Sequence, residues 1–152
     1  MTAIRFSEDV AGAEEIGRHL ALCADNFVPP LRDRVEITLY ADKIVANAKR
    51  FEAWQDEKLV GLVATYCNAP DCGIAYVTNV SVLPEVQGMG IGARLVQQCL
   101  AKVLAMGFGH AQLEVGAANA KALKLYISQG FRILSANDET VDMALTLDGM
   151  RT

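Results

Sequence analysis

Val80-Ser81-Val82-Leu83-Pro84-Glu85-Val86-Gln87-Gly88-Met89-Gly90-Ile91-Gly92-Ala93-Arg94 begins as an apolar strand, breaks at Pro84 and then sets three glycines at alternate positions. From Leu95 to Leu104 apolar side chains recur at helical spacing, so the glycines stand where a helix starts. The first N–H groups of a helix have no partner within it, and glycine leaves them uncovered. With the positive end of the helix dipole behind them they form an anion site, most often for phosphate. Arg94 adds a full charge in the first turn, where it opposes the dipole. A bound anion relieves that conflict; so does solvation of a guanidinium that takes no part in binding. The stretch 87–94 therefore reads as the seat of a phosphate-bearing ligand.

At 152 residues and 52% apolar composition, the chain reads as one domain, 1–152, with a core that needs neither disulfide nor metal. A mean hydropathy of +0.21 argues against a disordered chain. No apolar run has the length of a membrane span, and Met1–Phe6 lacks the pattern of a signal peptide. A cytoplasmic protein with no membrane partner is expected. The net charge of −4 argues against nucleic acid, which needs basic surfaces. Cys23, Cys67, Cys72 and Cys99 make no C-x-x-C pair, and His19 and His110 are isolated and read as structural, so no metal site is expected. Cys67 and Cys72 could face each other across a hairpin, but a reducing compartment would keep them as thiols.

In chain order, Thr2–Phe6 reads as a strand and Ser7 as the cap of a helix running to Asp25. Asn26-Phe27-Val28-Pro29-Pro30 is a loop, and Asp33-x-x-Glu36 has the form of a capping box opening a second helix. Strands follow at 50–55, 58–67 and 74–83, with a turn at 69–73. Thr78 and Asn79 interrupt an otherwise apolar strand, which points to a bulge or a cleft, or to polar groups satisfied by backbone. After the glycine helix come a strand at 111–115, a helix at 119–129 and a hairpin of 131–136 with 141–147. This order implies an α+β, or mixed α/β, layer: a mostly antiparallel twisted sheet flanked by helices, with one crossover at the glycine turn.

Gly88-x-Gly90-x-x-Ala93 also satisfies the dinucleotide fingerprint, with Glu114 as the distant acid. Against that reading, Pro84-Glu85-Val86-Gln87 separates strand from glycines, and only one helix and a hairpin follow Glu114. A Walker loop is excluded because no Gly-Lys-Ser/Thr is present. Read instead as Gln87-x-x-Gly90-x-Gly92, the stretch resembles the GNAT superfamily of acyl-CoA-dependent N-acetyltransferases. Val80–Pro84 is similar to that family's central strand and Leu113-Glu114-Val115 to its next strand. Asn119-Ala120-x-Ala122-x-x-Leu125-Tyr126-x-x-x-Gly130-Phe131 is similar to its second signature. The likeness covers 58–147 well and the N-terminal third weakly.

The resemblance implies the family's fold, with a splayed central pair of strands, and acetyl-CoA as acyl donor with no metal. It implies that Val80, Ser81 and Val82 line the pantetheine, its amides pairing with backbone of Val80 and Val82 as a missing strand would. Gln87, Gly88, Met89, Gly90, Ile91, Gly92, Ala93 and Arg94 would hold the pyrophosphate. Asn119 and Tyr126, two helical turns apart, would face the sulfur end. Tyr126 is then the acid for the departing thiolate and Glu114 the base for the amine, directly or through water. Each has a plainer reading: Tyr126 as a core aromatic, Asn119 as a helix cap, Glu114 as a strand-end polar residue. Phe27, Tyr40, Thr78 and Asn79 are the expected acceptor cleft. The acceptor is a primary amine of a small molecule or peptide, with association as a homodimer open; a CoA-binding sensor without chemistry is the other reading.

Overall fold

The computed structural model describes residues 3–27, 30–33, 35–67 and 73–147. Strand β1 (Ile4–Glu8) is followed by helices α1 (Ala13–Cys23) and α2 (Ile37–Asn47). Three antiparallel strands come next: β2 (Ala48–Gln55), β3 (Lys58–Tyr66) and β4 (Ile74–Val82). Helix α3 (Ile91–Ala105) crosses over to β5 (His110–Gly116), which pairs with β4 in parallel. Helix α4 (Ala120–Ser128) and the hairpin of β6 (Arg132–Ala136) and β7 (Thr140–Thr146) complete the fold. The seven strands form one sheet in the order β1-β2-β3-β4-β5-β7-β6.

Strand β3, in the middle of the sheet, is apolar on both faces because both faces are covered. Phe51, Val60 and Val63 turn to one side, with Leu95, Cys99 and Val103 of α3. Leu59, Leu62 and Ala64 turn to the other, with Ile16, Leu20 and Ile44 of α1 and α2. Gly61 lets α3 come down onto the sheet by its first turn: a Cβ there would lie 2.9 Å from Ile91 Cγ2 and 3.0 Å from Leu95 Cδ1. That close approach sets where the start of α3 meets the end of β4.

The mostly antiparallel sheet, with a single parallel pair and a 3₁₀ turn (Pro84–Val86) ahead of α3, removes the dinucleotide alternative. Two local expectations are corrected. Ser7 does not cap α1; its hydroxyl donates to Glu52 Oε1 (2.8 Å) within a longer β1. The fully buried Glu52 carboxylate also takes the N–H groups of Val10 (3.0 Å) and Ala11 (2.9 Å). The chain entering α1 is thus satisfied from β2, and the helix begins after Gly12. Nor does Asp33 open a capping box, for it ends the 3₁₀ turn Leu31–Asp33. Glu36 is itself the N-cap of α2, its carboxylate long enough to accept from Thr38 N (3.3 Å) and Leu39 N (2.8 Å). Thr2, Val28, Pro29, Cys72 and most of the expected turn at 69–73 lie outside the described residues.

Candidate active site

Strands β4 and β5 pair only from Ile74–His110 to Val77–Leu113. Beyond Leu113, β5 stays with β7 as far as Gly116–Thr140, while β4 stays with β3 to Val82–Gly61. The β3–β4 register also shifts between Ala64, opposite Asn79, and Thr65, opposite Val77, so Thr78 is the extra residue of a bulge. The bulge bends β4 off its parallel neighbour at the point where pairing stops. Leu83 N–H donates to Val60 O (2.8 Å), so antiparallel alternation turns the N–H and C=O of Val80 and Val82 away from β3 and into the gap. The gap is a cleft of about 440 Å³, lined by 77–82 on one wall and 113–116 on the other.

At its far end the cleft meets the glycine turn. Gly88 (φ +87°) and Gly90 (φ +77°) are left-handed, and a Cβ on either would meet no protein atom within 4 Å. Glycine here serves backbone shape and open space rather than packing. Gly90 caps α3, whose first internal donor is Arg94 N to Gly90 O (3.1 Å); the N–H groups of Ile91, Gly92 and Ala93 precede it without helical acceptors. Gln87 bridges the two parts of the cleft: its Nε2 donates to Val82 O (3.2 Å) and its Oε1 accepts from Lys121 Nζ (3.2 Å). Met89 is exposed and outside the lining. Arg94 is turned away, its guanidinium stacked 3.8 Å from the centre of the Phe6 ring. Among the described residues the cation on the cleft wall is Lys121.

Helix α4 forms the roof. Asn119 is its N-cap, accepting from Ala122 N (3.1 Å), and lines the cleft as well. Two turns on, Tyr126 is 7% exposed and packs edge-on against Phe131 (5.9 Å between centroids), yet it too lines the cleft. Burial pushes its phenol above the ordinary value, so it stays protonated through the neutral range. Among the described residues its hydroxyl has no hydrogen-bond partner. Glu114 extends from β5 opposite Asp142 of β7, solvent-exposed and on the cleft wall.

A model of the acetyltransferase (GNAT) family matches residues 14–131. The chain belongs to the GNAT acetyltransferase family. Its fold is shared with a GNAT-family protein from Desulfovibrio desulfuricans (TM-score 0.78, 18% identity, 95% of this chain and 99% of that one). It is shared equally with the ribosomal-protein-S18-alanine N-acetyltransferase of Escherichia coli (0.76, 22%, 95% and 94%). The PaiA N-acetyltransferase of Thermoplasma acidophilum, solved in complex with coenzyme A, is a third (0.75, 14%, 95% and 99%).

The other face of β4 carries what sequence reading missed in this GNAT domain. His19, 1% exposed in α1, lies 3.1 Å by Nδ1 from Leu59 O and 2.8 Å by Nε2 from Ser81 Oγ. A carbonyl can only accept, so Nδ1 carries the proton and Nε2 accepts from the serine hydroxyl. Ser81 Oγ in turn accepts from Asn79 Nδ2 (2.9 Å), whose other N–H reaches Leu62 O (3.4 Å). Burial lowers the His19 pKa to about 4, outweighing the Leu59 carbonyl, which favours the cation. Cys23 Sγ is 3.7 Å from His19 Nε2, its thiol pushed up to about 12 by burial. Cys23, Phe27, Thr78, Asn79 and Ser81 line the cleft, whereas Tyr40 stands behind it, donating to Thr78 O (2.7 Å) and bracing the bulge. The one available signal for His19 was its place on the apolar stripe of α1 with Ile16, Leu20 and Cys23. Among the described residues no group of three or more His, Cys, Asp or Glu side chains could hold a metal, and no helix is long and apolar enough to cross a membrane.

Proposed function

We propose that this protein is an N-acetyltransferase moving the acetyl group of acetyl-CoA onto a primary amine by direct attack on the thioester. The observation that carries the reading is a single cleft joining an unpaired strand edge to an uncovered helix N-terminus. An amide-bearing arm fits the first and a pyrophosphate the second. Val80 and Val82 offer backbone groups to the arm; Gln87 must release Val82 O for that carbonyl to be used. The N–H groups of Ile91, Gly92 and Ala93 face the phosphates, and Lys121 supplies countercharge.

Acetyl-CoA supplies an activated acyl carbon. As the amine lone pair forms the C–N bond, the Val80 N–H is positioned to donate to the oxygen that gains charge. Glu114 takes the proton shed by nitrogen, directly or through water. When the C–S bond breaks, the electron pair leaves on sulfur, and Tyr126, protonated throughout the neutral range, gives it a proton. The test is thiol release from acetyl-CoA on addition of α-amino amides, aralkylamines, amino sugars and polyamines. We expect release with at least one class. Acetyl-CoA that binds while no amine releases thiol would instead make the protein a CoA sensor.

A further inference from the structure

Asn79 stands out among the buried polar groups of the cleft. It is 3% exposed and lines the cleft, and among the described residues its Oδ1 has no hydrogen-bond partner. An unpaired buried carbonyl is costly, so a donor must arrive from somewhere. Amide rotation offers no escape. Leu59 O puts the proton on His19 Nδ1; Ser81 Oγ, at 2.8 Å against 3.7 Å for Cys23 Sγ, is the donor to Nε2 and is left to accept, and Leu62 O, which can only accept, independently demands an N–H. Both neighbours of the Asn79 amide therefore demand its N–H groups. Two backbone carbonyls of β3 thereby orient Oδ1, through a histidine held neutral by burial.

We infer that Asn79 Oδ1 accepts an N–H of the attacking amine, and that His19 and Ser81 are positioning residues that keep it an acceptor; the inference rests on the acetyltransferase reading above. Asn79 borders Thr78 at the bulge and Val80, whose N–H faces the same gap. A primary amine attacking there has two N–H bonds and one lone pair. Oδ1 takes one N–H and aims the lone pair; the other N–H remains for proton removal. The nitrogen gains positive charge as the C–N bond forms, so the contact strengthens toward the transition state. Cys23 and Phe27 beside Asn79 are uncharged, and the oriented carbonyl is neutral, so this wall favours an amine that arrives as free base on an apolar or uncharged carrier. N-methylated amines, left with a single N–H, are disfavoured.

The test compares the fastest amine of the panel with its N-methyl derivative, in wild type, Asn79→Leu and Asn79→Ser. Wild type should prefer the primary amine by about tenfold or more in kcat/KM. Both variants should raise the amine KM about tenfold or more, lower kcat, and bring the primary-to-N-methyl ratio to within about threefold of one. The Kd for acetyl-CoA should stay within about twofold, which a general distortion of β4 would not allow. The serine variant guards against misfolding of the leucine one. An unchanged primary-to-N-methyl ratio in the folded variants overturns the inference. So does a crystal structure with CoA and the amine in which an ordered water keeps its place on Oδ1 while the nitrogen lies elsewhere. Absence of thiol release from wild type with every amine would instead sink the acetyltransferase reading, and this inference with it.

Discussion

The two ends of the cleft are built from different materials. The end at α3 presents backbone: the N–H and C=O of Val80 and Val82, and the N–H groups that follow Gly90. The end at α1 presents side chains: Cys23, Phe27 and Asn79, with His19 behind them. Backbone recognition depends on chain path and on the absence of side chains, so it serves a ligand that does not vary. Side-chain recognition can be rewritten one substitution at a time. The difference implies a fixed donor and a changeable acceptor. It also divides the expected effects of mutation between the two ends.

The largest effect is expected at Tyr126, where the two ends meet. Tyr126→Phe should lower kcat by about 10²–10⁴ with little change in acetyl-CoA affinity. The edge-on contact with Phe131 survives the change, so loss of fold does not confuse the result. A kcat near that of wild type would show that the hydroxyl only packs and that the thiolate leaves unassisted.

Next comes the backbone end. Gly90→Val should cost about 10²-fold or more in acetyl-CoA affinity by calorimetry, because the side chain enters space that only the ligand would use. The φ of +77° adds strain on the order of 1–3 kcal/mol, which Gly90→Ala reports almost alone. Unchanged affinity in a folded Gly90→Val variant would remove the cradle assignment. CoA should raise the Tm of wild type, and NAD should not.

The same division explains what could be read from the chain. The glycine turn was legible because its requirement is local: alternate glycines after a strand and before an apolar helix. Asn119 and Tyr126 were legible because seven residues along a helix return to one face. The strand interruption at Thr78 and Asn79 showed as polar residues in an apolar run, though not which of its readings held. The rest depended on contacts distant in sequence. His19 meets partners 40 and 62 residues away, and Ser7 meets Glu52 across 45. Arg94 leaves the phosphate site expected of it because helix phase turns it toward β1, where the Phe6 ring takes it, and Lys121, not singled out from sequence, stands on the cleft wall. Tyr40 was expected in the acceptor cleft, but it stands behind the cleft with its hydroxyl spent on Thr78.

A smaller effect tests the side-chain end through stability. His19 has its folded pKa lowered to about 4 from 6.5, so between these values the unfolded chain binds more protons. Stability is then fully present above pH 6.5 and is lost as pH falls toward 4. From pH 7 to pH 5 the loss from this group is about 2 kcal/mol, on the order of a thirtyfold change in the folding equilibrium. Cys23, pushed up to about 12, is silent in that window. Urea denaturation should show the slope in wild type and a flatter one in His19→Gln. Equal slopes would mean that His19 is not held neutral, and the orientation of Asn79 would lose its anchor.

The smallest effect is expected at Glu114, and its size depends on the amine. A lysine-like amine, with a pKa near 10.4, costs about 4–5 kcal/mol to deprotonate at neutral pH, whereas an α-amine near 7.7–8 costs only about 1. The neutral wall around Asn79 favours the second kind, which is already partly free base near pH 7–8. For such an acceptor Glu114→Gln should lower kcat/KM less than about threefold at pH 8, since only the proton released after attack needs an outlet and water can take it. With a lysine-like acceptor the same substitution should slow turnover sharply below about pH 9, and the defect should fade as pH approaches the amine's own pKa. A sharp defect with the preferred acceptor would return base catalysis to the centre of the reaction and weaken the case for a free-base amine. A defect that persists above the acceptor's pKa would mean that Glu114 orients the acceptor rather than deprotonating it, adding a charged contact to the side-chain end.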